Sequence, residues 1–171
     1  MELFDLYDDN RLPLNRSLPR GSKLASGENR MVIHICIFNS NNEMLIQQRV
    51  STKSFYPSVW DISAGGNCIA GESSQESAHR ELLEELGIDY DFSSHRPHLT
   101  INFENGFDDF YFIHQDVDIS TITIQADEVA AVKWANKDEI LKLYDEGLFL
   151  PYPKDFLVAL FTLKNKRGLF D

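Results

Sequence analysis

The sequence predicts an α+β protein, an α/β/α sandwich in which strands dominate and helices pack outside. Three observations carry that prediction. Strand-like apolar runs recur between residues 31 and 134, MVIHICIF (31–38) being the strongest. One segment, 73–86, has a helical pattern with stop and start signals at its ends. Two more helical patterns, 135–147 and 155–165, follow the last strand.

Residues 1–8 read as an edge strand, and 9–30 as loop, punctuated by Pro13, Pro19, Gly21 and Gly27. MVIHICIF and MLIQQRV (44–50) flank the turn signal NSNN (39–42), which makes a hairpin. STKSFYPSVW (51–60) is a loop, and DISA leads as a short strand into a glycine loop at Gly65-Gly66. Ser73 and Glu76 have capping-box spacing at the start of the helix, and Gly87 suits its end. LTINFE (99–104) and FYFIHQ (110–115) pair around Asn105-Gly106. ITIQ (122–125) and VAAVKW (129–134) are shorter strands, ANKDEILKLYDEG is a helix ending at Gly147, and DFLVALFTLKN is a helix with an apolar face.

A length of 171 residues suits one domain with a real core, and 43% apolar with 25% charged residues is ordinary for a soluble globular chain. The net charge of −11 argues against binding a nucleic-acid polymer or an acidic membrane surface. No apolar run approaches membrane-spanning length, and Met1 leads into the acidic ELFDLYDD, so a cytoplasmic protein is expected. Cys36 and Cys68 have no metal or redox spacing and are expected as free thiols. His34 and Cys36 share a strand face, where packing or a hydrogen bond outweighs a soft-metal pair. His79 reads as structural, and His95 and His98 as loop residues.

The acidic stretch GGNCIAGESSQESAHRELLEELGI (65–88) stands out, with Glu72, Glu76, Glu81, Glu84 and Glu85 around the single cation Arg80. At 100° per residue, Glu81, Glu84 and Glu85 share one side of the helix, beside a stripe of Ala78, Leu82 and Leu86 that suits packing on a sheet. Arg80 lies within ion-pair reach of Glu84, four residues on. A solvated acidic face is the ordinary explanation of a charge run. Three carboxylates with one nearby cation favour a hard divalent cation held through oxygens, Mg²⁺ or Mn²⁺.

The spacing Gly66, five residues, Glu72, seven residues, then Arg80-Glu81-Leu82-x-Glu84-Glu85-x-Gly87-Ile88 resembles the Nudix box at every fixed position. The resemblance extends to QQR (47–49), PSVW (57–60), SAGG, FDDFYFI (107–113) and DEVAAVKW (127–134), covering roughly residues 30–165. It implies an α/β/α sandwich with a mixed sheet, and a domain of residues 30–171 preceded by an N-terminal extension, 1–29. It implies a pyrophosphohydrolase that uses Mg²⁺ or Mn²⁺ on a nucleoside diphosphate linked to another group. By this resemblance Glu84 and Glu85 are the principal metal ligands, and Glu81 is a ligand or the water-activating base. Arg80 orients a box glutamate, with Glu72 the candidate, and Gly66 or Gly65 offers the metal a backbone carbonyl. Arg49 and Lys53 are candidates for the substrate phosphates, and one of Asp108 and Asp109, or in competition Glu128, for an additional acid, with ordinary strand-end and loop roles as the alternatives. Trp60, Phe55 and Tyr56 are candidates for stacking on a base, Trp60 more readily packing in the core.

Two departures matter. Ile69 stands where many boxes carry glutamate, and Ser58 where PGxW is common. The run FNSNNEMLIQQR also resembles the isopentenyl-diphosphate isomerase branch, but Gly65 and Asn67 stand where that enzyme needs a cysteine and a metal-binding histidine. Hydrolysis is therefore expected over isomerisation, with a non-catalytic ligand-binding module as the third reading. The substrate and a homodimer are left open, as is whether residues 1–29 cover the cleft or join an interface.

Overall fold

The computed structural model describes residues 2–166. They form β1 (Leu3–Tyr7), β2 (Pro13–Pro19), β3 (Arg30–Phe38), β4 (Met44–Arg49), β5 (Trp60–Asp61), β6 (Ala64–Asn67), α1 (Ser74–Leu86), β7 (Leu99–Phe103), β8 (Gly106–His114), β9 (Val129–Ala135), α2 (Lys137–Asp145) and α3 (Lys154–Leu163). β1 and β2 make a two-stranded antiparallel sheet. The main sheet has seven strands in the order β5-β4-β3-β8-β7, with β6 added on β3 and β9 on β4. The chain clusters into two compact units.

The first unit comprises Met1–Ile35, Gly65–Leu83 and Asp89–Tyr111. Its buried side chains include Leu6, Ile33, Ala78, Leu82, Phe92 and Phe110. β2 occupies part of the expected 9–30 loop. Its prolines sit at the two strand ends, where a sheet tolerates the missing N–H. The expected glycine loop is also a strand, since Gly65 and Gly66 lie inside β6. A Cβ on Gly65 would come within 2.8 Å of the Ile33 carbonyl oxygen, so the close strand pairing requires the glycine. β8 starts at Gly106, earlier than expected, because Asp108 and Asp109 belong to the strand despite their low strand propensity.

The second unit comprises Cys36–Ala64, Glu84–Ile88 and Phe112–Asp171. Ile37, Phe38, Met44, Leu45, Ile46, Leu86 and Leu160 are fully buried in it. The hairpin closes with Phe38 opposite Met44, as its turn signal predicts. β4 pairs with β5 and β9, so Gln47 has Asp61 on one side and Val132 on the other. ITIQ is not a strand. Thr123 and Gln125 donate their N–H groups to the carbonyls of Leu86 and Glu85, satisfying the open C-terminal end of α1 instead of a sheet edge. Gly87, at φ +66°, ends that helix as expected. A capping box between Asn136 and Glu139 starts α2.

Candidate active site

Helix α1 begins where the reciprocal cap predicts. Ser73 N–H donates to Glu76 Oε2 at 2.8 Å, and Glu76 N–H to Ser73 Oγ at 3.2 Å. The box glutamates have separate jobs. Arg80 Nε donates to Glu72 Oε1 at 2.8 Å and Nη2 to Oε2 at 3.1 Å, a two-pronged pair. Nη1 donates to Glu81 Oε1 at 2.8 Å, and Nη2 also reaches the Asn67 carbonyl at 3.1 Å. Ser77 Oγ adds a bond to Glu72 at 2.7 Å. Burial pushes the Glu72 carboxyl up, but the Arg80 and Ser77 bonds outweigh it and hold its pKa below the ordinary value. Burial likewise pulls Arg80 down, and Glu72 and Glu81 more than reverse this, so the guanidinium stays charged.

Gly66 lies directly under the Glu81 carboxylate. A Cβ there would fall 2.1 Å from Glu81 Oε1, so the missing side chain is the space the carboxylate occupies. Glu84 is exposed. Glu85, expected beside the core stripe, is instead buried at 7% exposure. Its position three residues after Leu82 turns it inward, and Gln47 Nε2 donates to its Oε2 at 2.8 Å. Among the described residues, no three His, Cys, Asp or Glu side chains already converge on a metal position. The donors nevertheless fit a hard cation. All are oxygens, and Mg²⁺ commonly takes one or two carboxylates, with water and substrate phosphates completing its shell.

The remaining candidates have structural partners. Lys53 and Glu128, expected separately at substrate and metal, form an ion pair with each other. Arg49 pairs with Asp61 at 3.5 Å and donates to the Phe55 and Tyr56 carbonyls at 3.0 and 3.1 Å. It therefore braces loop 51–59, leaving the Phe55 and Tyr56 rings exposed. Trp60 is half-buried beneath the Lys133 ammonium. Asp109 is fully buried. Arg11 forks onto both its oxygens, while Thr100 Oγ1 and Ser74 Oγ each donate to it at 2.6 Å. Ser74 also bonds the Tyr111 hydroxyl at 2.8 Å, and burial pushes that hydroxyl up to about 12.

Several partners were not legible as functional residues. Arg11 is an isolated cation in a segment read as loop, at φ +65°. Gln47 carried only a resemblance, although a buried glutamine in a strand needs a polar partner and so signals one. Asp5 Oδ2 accepts the Gly71 N–H and the Leu3 carbonyl the Ala70 N–H, each at 2.8 Å, so β1 grips the loop leading into α1. His34 bonds Asp108 at 3.1 Å and stacks on Phe110, as the packing alternative expects. His79 meets Asp89 at 3.1 Å. His95 is only half-buried, and His98 is exposed. Both cysteines are buried free thiols.

The NUDIX domain family matches residues 28–153. A Nudix hydrolase of Listeria monocytogenes is 46% identical over 165 residues, spanning 96% of this chain and 96% of its own. One from Pseudomonas aeruginosa is 35% identical over 160 residues, spanning 93% and 91%. A Deinococcus radiodurans crystal structure superposes with a TM-score of 0.76 at 22% identity, over 92% of this chain and 98% of that one. The MutT protein of Methanosarcina mazei gives 0.64 at 22% identity, over 81% and 96%. The fold is thus the α+β Nudix sandwich with its mixed sheet. The chain belongs to the Nudix hydrolase family, whose members generally use divalent metal ions. No helix among the described residues is long and apolar enough to cross a membrane.

Proposed function

We propose that the chain is a Mg²⁺- or Mn²⁺-dependent Nudix hydrolase that cleaves the diphosphate linkage of a nucleoside diphosphate derivative or related metabolite. Water attacks phosphorus in this reaction. The observation that carries the proposal is the seating of the Glu81 carboxylate over Gly66, with Arg80 fixing it between Glu72 and the Asn67 carbonyl. Glu81, Glu84 and Glu85, on successive turns of α1, together with the Gly66 carbonyl, would hold the cation. When bound, the cation supplies charge stabilisation on the pyrophosphate oxygens. Glu81 is either a further ligand or the base that takes a proton from the attacking water. Arg80 orients it through Oε1. Residues 30–171 form the catalytic domain in this proposal, with 1–29 built onto it.

Two observations weigh against isomerase chemistry. The isomerase cysteine position is Gly65, where a Cβ would meet the Ile33 carbonyl oxygen at 2.8 Å. The neighbouring Cys68 is buried, and burial pushes its thiol up to about 12 despite the Ser77 hydrogen bond, which leaves it a poor proton relay.

The test is a panel of nucleotides, nucleotide sugars, dinucleoside polyphosphates and prenyl diphosphates with Mg²⁺ or Mn²⁺. Glu84→Gln and Glu85→Gln should each lose at least about 100-fold in rate. Unchanged turnover in both would sink the metal assignment. Tight binding without turnover of any compound would favour a binding module.

A further inference from the structure

We propose that Gln47 is a positioning residue of the metal site, holding Glu85 in a cation-ready orientation through a neutral hydrogen bond. The proposal rests on Glu85 being a metal ligand, as proposed above. Both side chains are buried, Gln47 at 6% and Glu85 at 7% exposure, and Gln47 Nε2 lies 2.8 Å from Glu85 Oε2. A glutamate has three side-chain torsions to fix, and a bond from a rigid donor fixes its terminal group. The donor here is rigid, because the Gln47 residue pairs with Asp61 on β5 and Val132 on β9.

The chemistry of the donor is the second point. A lysine or arginine in place of Gln47 would orient the same oxygen but set a positive charge against a cation site. An amide brings two N–H donors and no charge, so it orients the carboxylate without competing electrostatically for it. The bond uses Oε2, and one carboxylate oxygen suffices for a monodentate ligand. Groups that orient metal ligands in this way typically change metal affinity 10- to 100-fold when removed.

The neighbouring residue provides an internal control. Gln48 is the next residue of the same strand, and its Nε2 donates to the Ser58 carbonyl at 2.9 Å, not to a carboxylate. The full chain is titrated with Mn²⁺ alone, and bound metal is read by electron paramagnetic resonance, with folding checked by circular dichroism. Gln47→Met should weaken Mn²⁺ binding about 10-fold or more. Gln47→Asn, which draws the amide back by one methylene, should do the same and carries the test if the methionine variant fails to fold. Gln48→Met should bind Mn²⁺ as the parent does. Folded Gln47 variants that bind Mn²⁺ like the parent, while Glu85→Gln does not bind, overturn this inference and leave the metal assignment standing. Parent-like binding by Glu85→Gln overturns both.

Discussion

Asp109 and Glu85 are both buried carboxylates, at 0% and 7% exposure, but they are held differently. Asp109 is gripped by the Arg11 guanidinium and by the hydroxyls of Thr100 and Ser74. Glu85 receives a neutral amide from Gln47. The guanidinium matches Asp109 in charge and geometry, which makes that carboxylate a fastener between the N-terminal hairpin, β8 and the first residue of α1. An amide sets direction without supplying a counter-charge. Two buried carboxylates of one chain are thus met by donors of different charge.

Two substitutions should separate these roles. Glu85→Gln should fall at least about 100-fold in turnover while unfolding within about 1 kcal/mol of the parent, since an amide can still accept the Gln47 bond. Asp109→Asn should do the reverse, losing about 2 kcal/mol or more by stranding Arg11, while the folded fraction keeps its activity. Urea unfolding alongside a phosphate-release assay reads both, and equal effects of the two on rate would erase the distinction.

A milder contrast concerns Glu72, which like Asp109 is tied to an arginine but is reached by solvent. Its folded pKa lies below the ordinary 4.5 because the Arg80 and Ser77 bonds overcome burial. A carboxyl depressed in the folded state contributes stability above its unfolded pKa and loses it as pH falls through the folded value. Stability should therefore hold from pH 7 to about 4.5 and decline below it, and Glu72→Gln should flatten that decline. Identical slopes in urea titrations between pH 5 and 3 would remove Glu72 as a cause.

The smallest effect belongs to the braced loop of the second unit. Ser58 sits at φ +63°, in the left-handed region that favours glycine. This accounts for the common glycine of PGxW. Ser58→Gly should stabilise the chain by up to about 1 kcal/mol, seen as a higher melting temperature. An unchanged or lower value would mean that the Gln48 and Arg49 bonds to the loop carbonyls already offset the strain.

The helices and the central hairpin were legible because their signals are local. Ser73, Glu76 and Gly87 mark the ends of α1 without reference to the rest of the chain. β2 and the strand character of Gly65-Gly66 were not legible, because partners chosen from distant sequence decide both. The same holds for ITIQ, whose N–H groups go to helix carbonyls. At the site, spacing marked the Ser73–Glu76 cap, and the Arg80 pairing with Glu72 followed from the family resemblance. Neither gave a sign that Lys53 and Glu128 meet each other, that Arg49 braces a loop, or that Asp109 is bonded to a residue 98 positions away. Charge type is readable from one residue, whereas partnership requires the fold.

The grip of β1 on residues 70 and 71 bears on how short a working version of this protein can be. The match to the NUDIX domain family begins at residue 28. A chain cut there keeps every glutamate of the box yet discards Asp5 and Arg11, so Asp109 would be left inside without its guanidinium. The smallest self-sufficient piece is therefore longer than the family match. An expression series shortened from the front should fail between residues 5 and 12, well before the cut reaches residue 28.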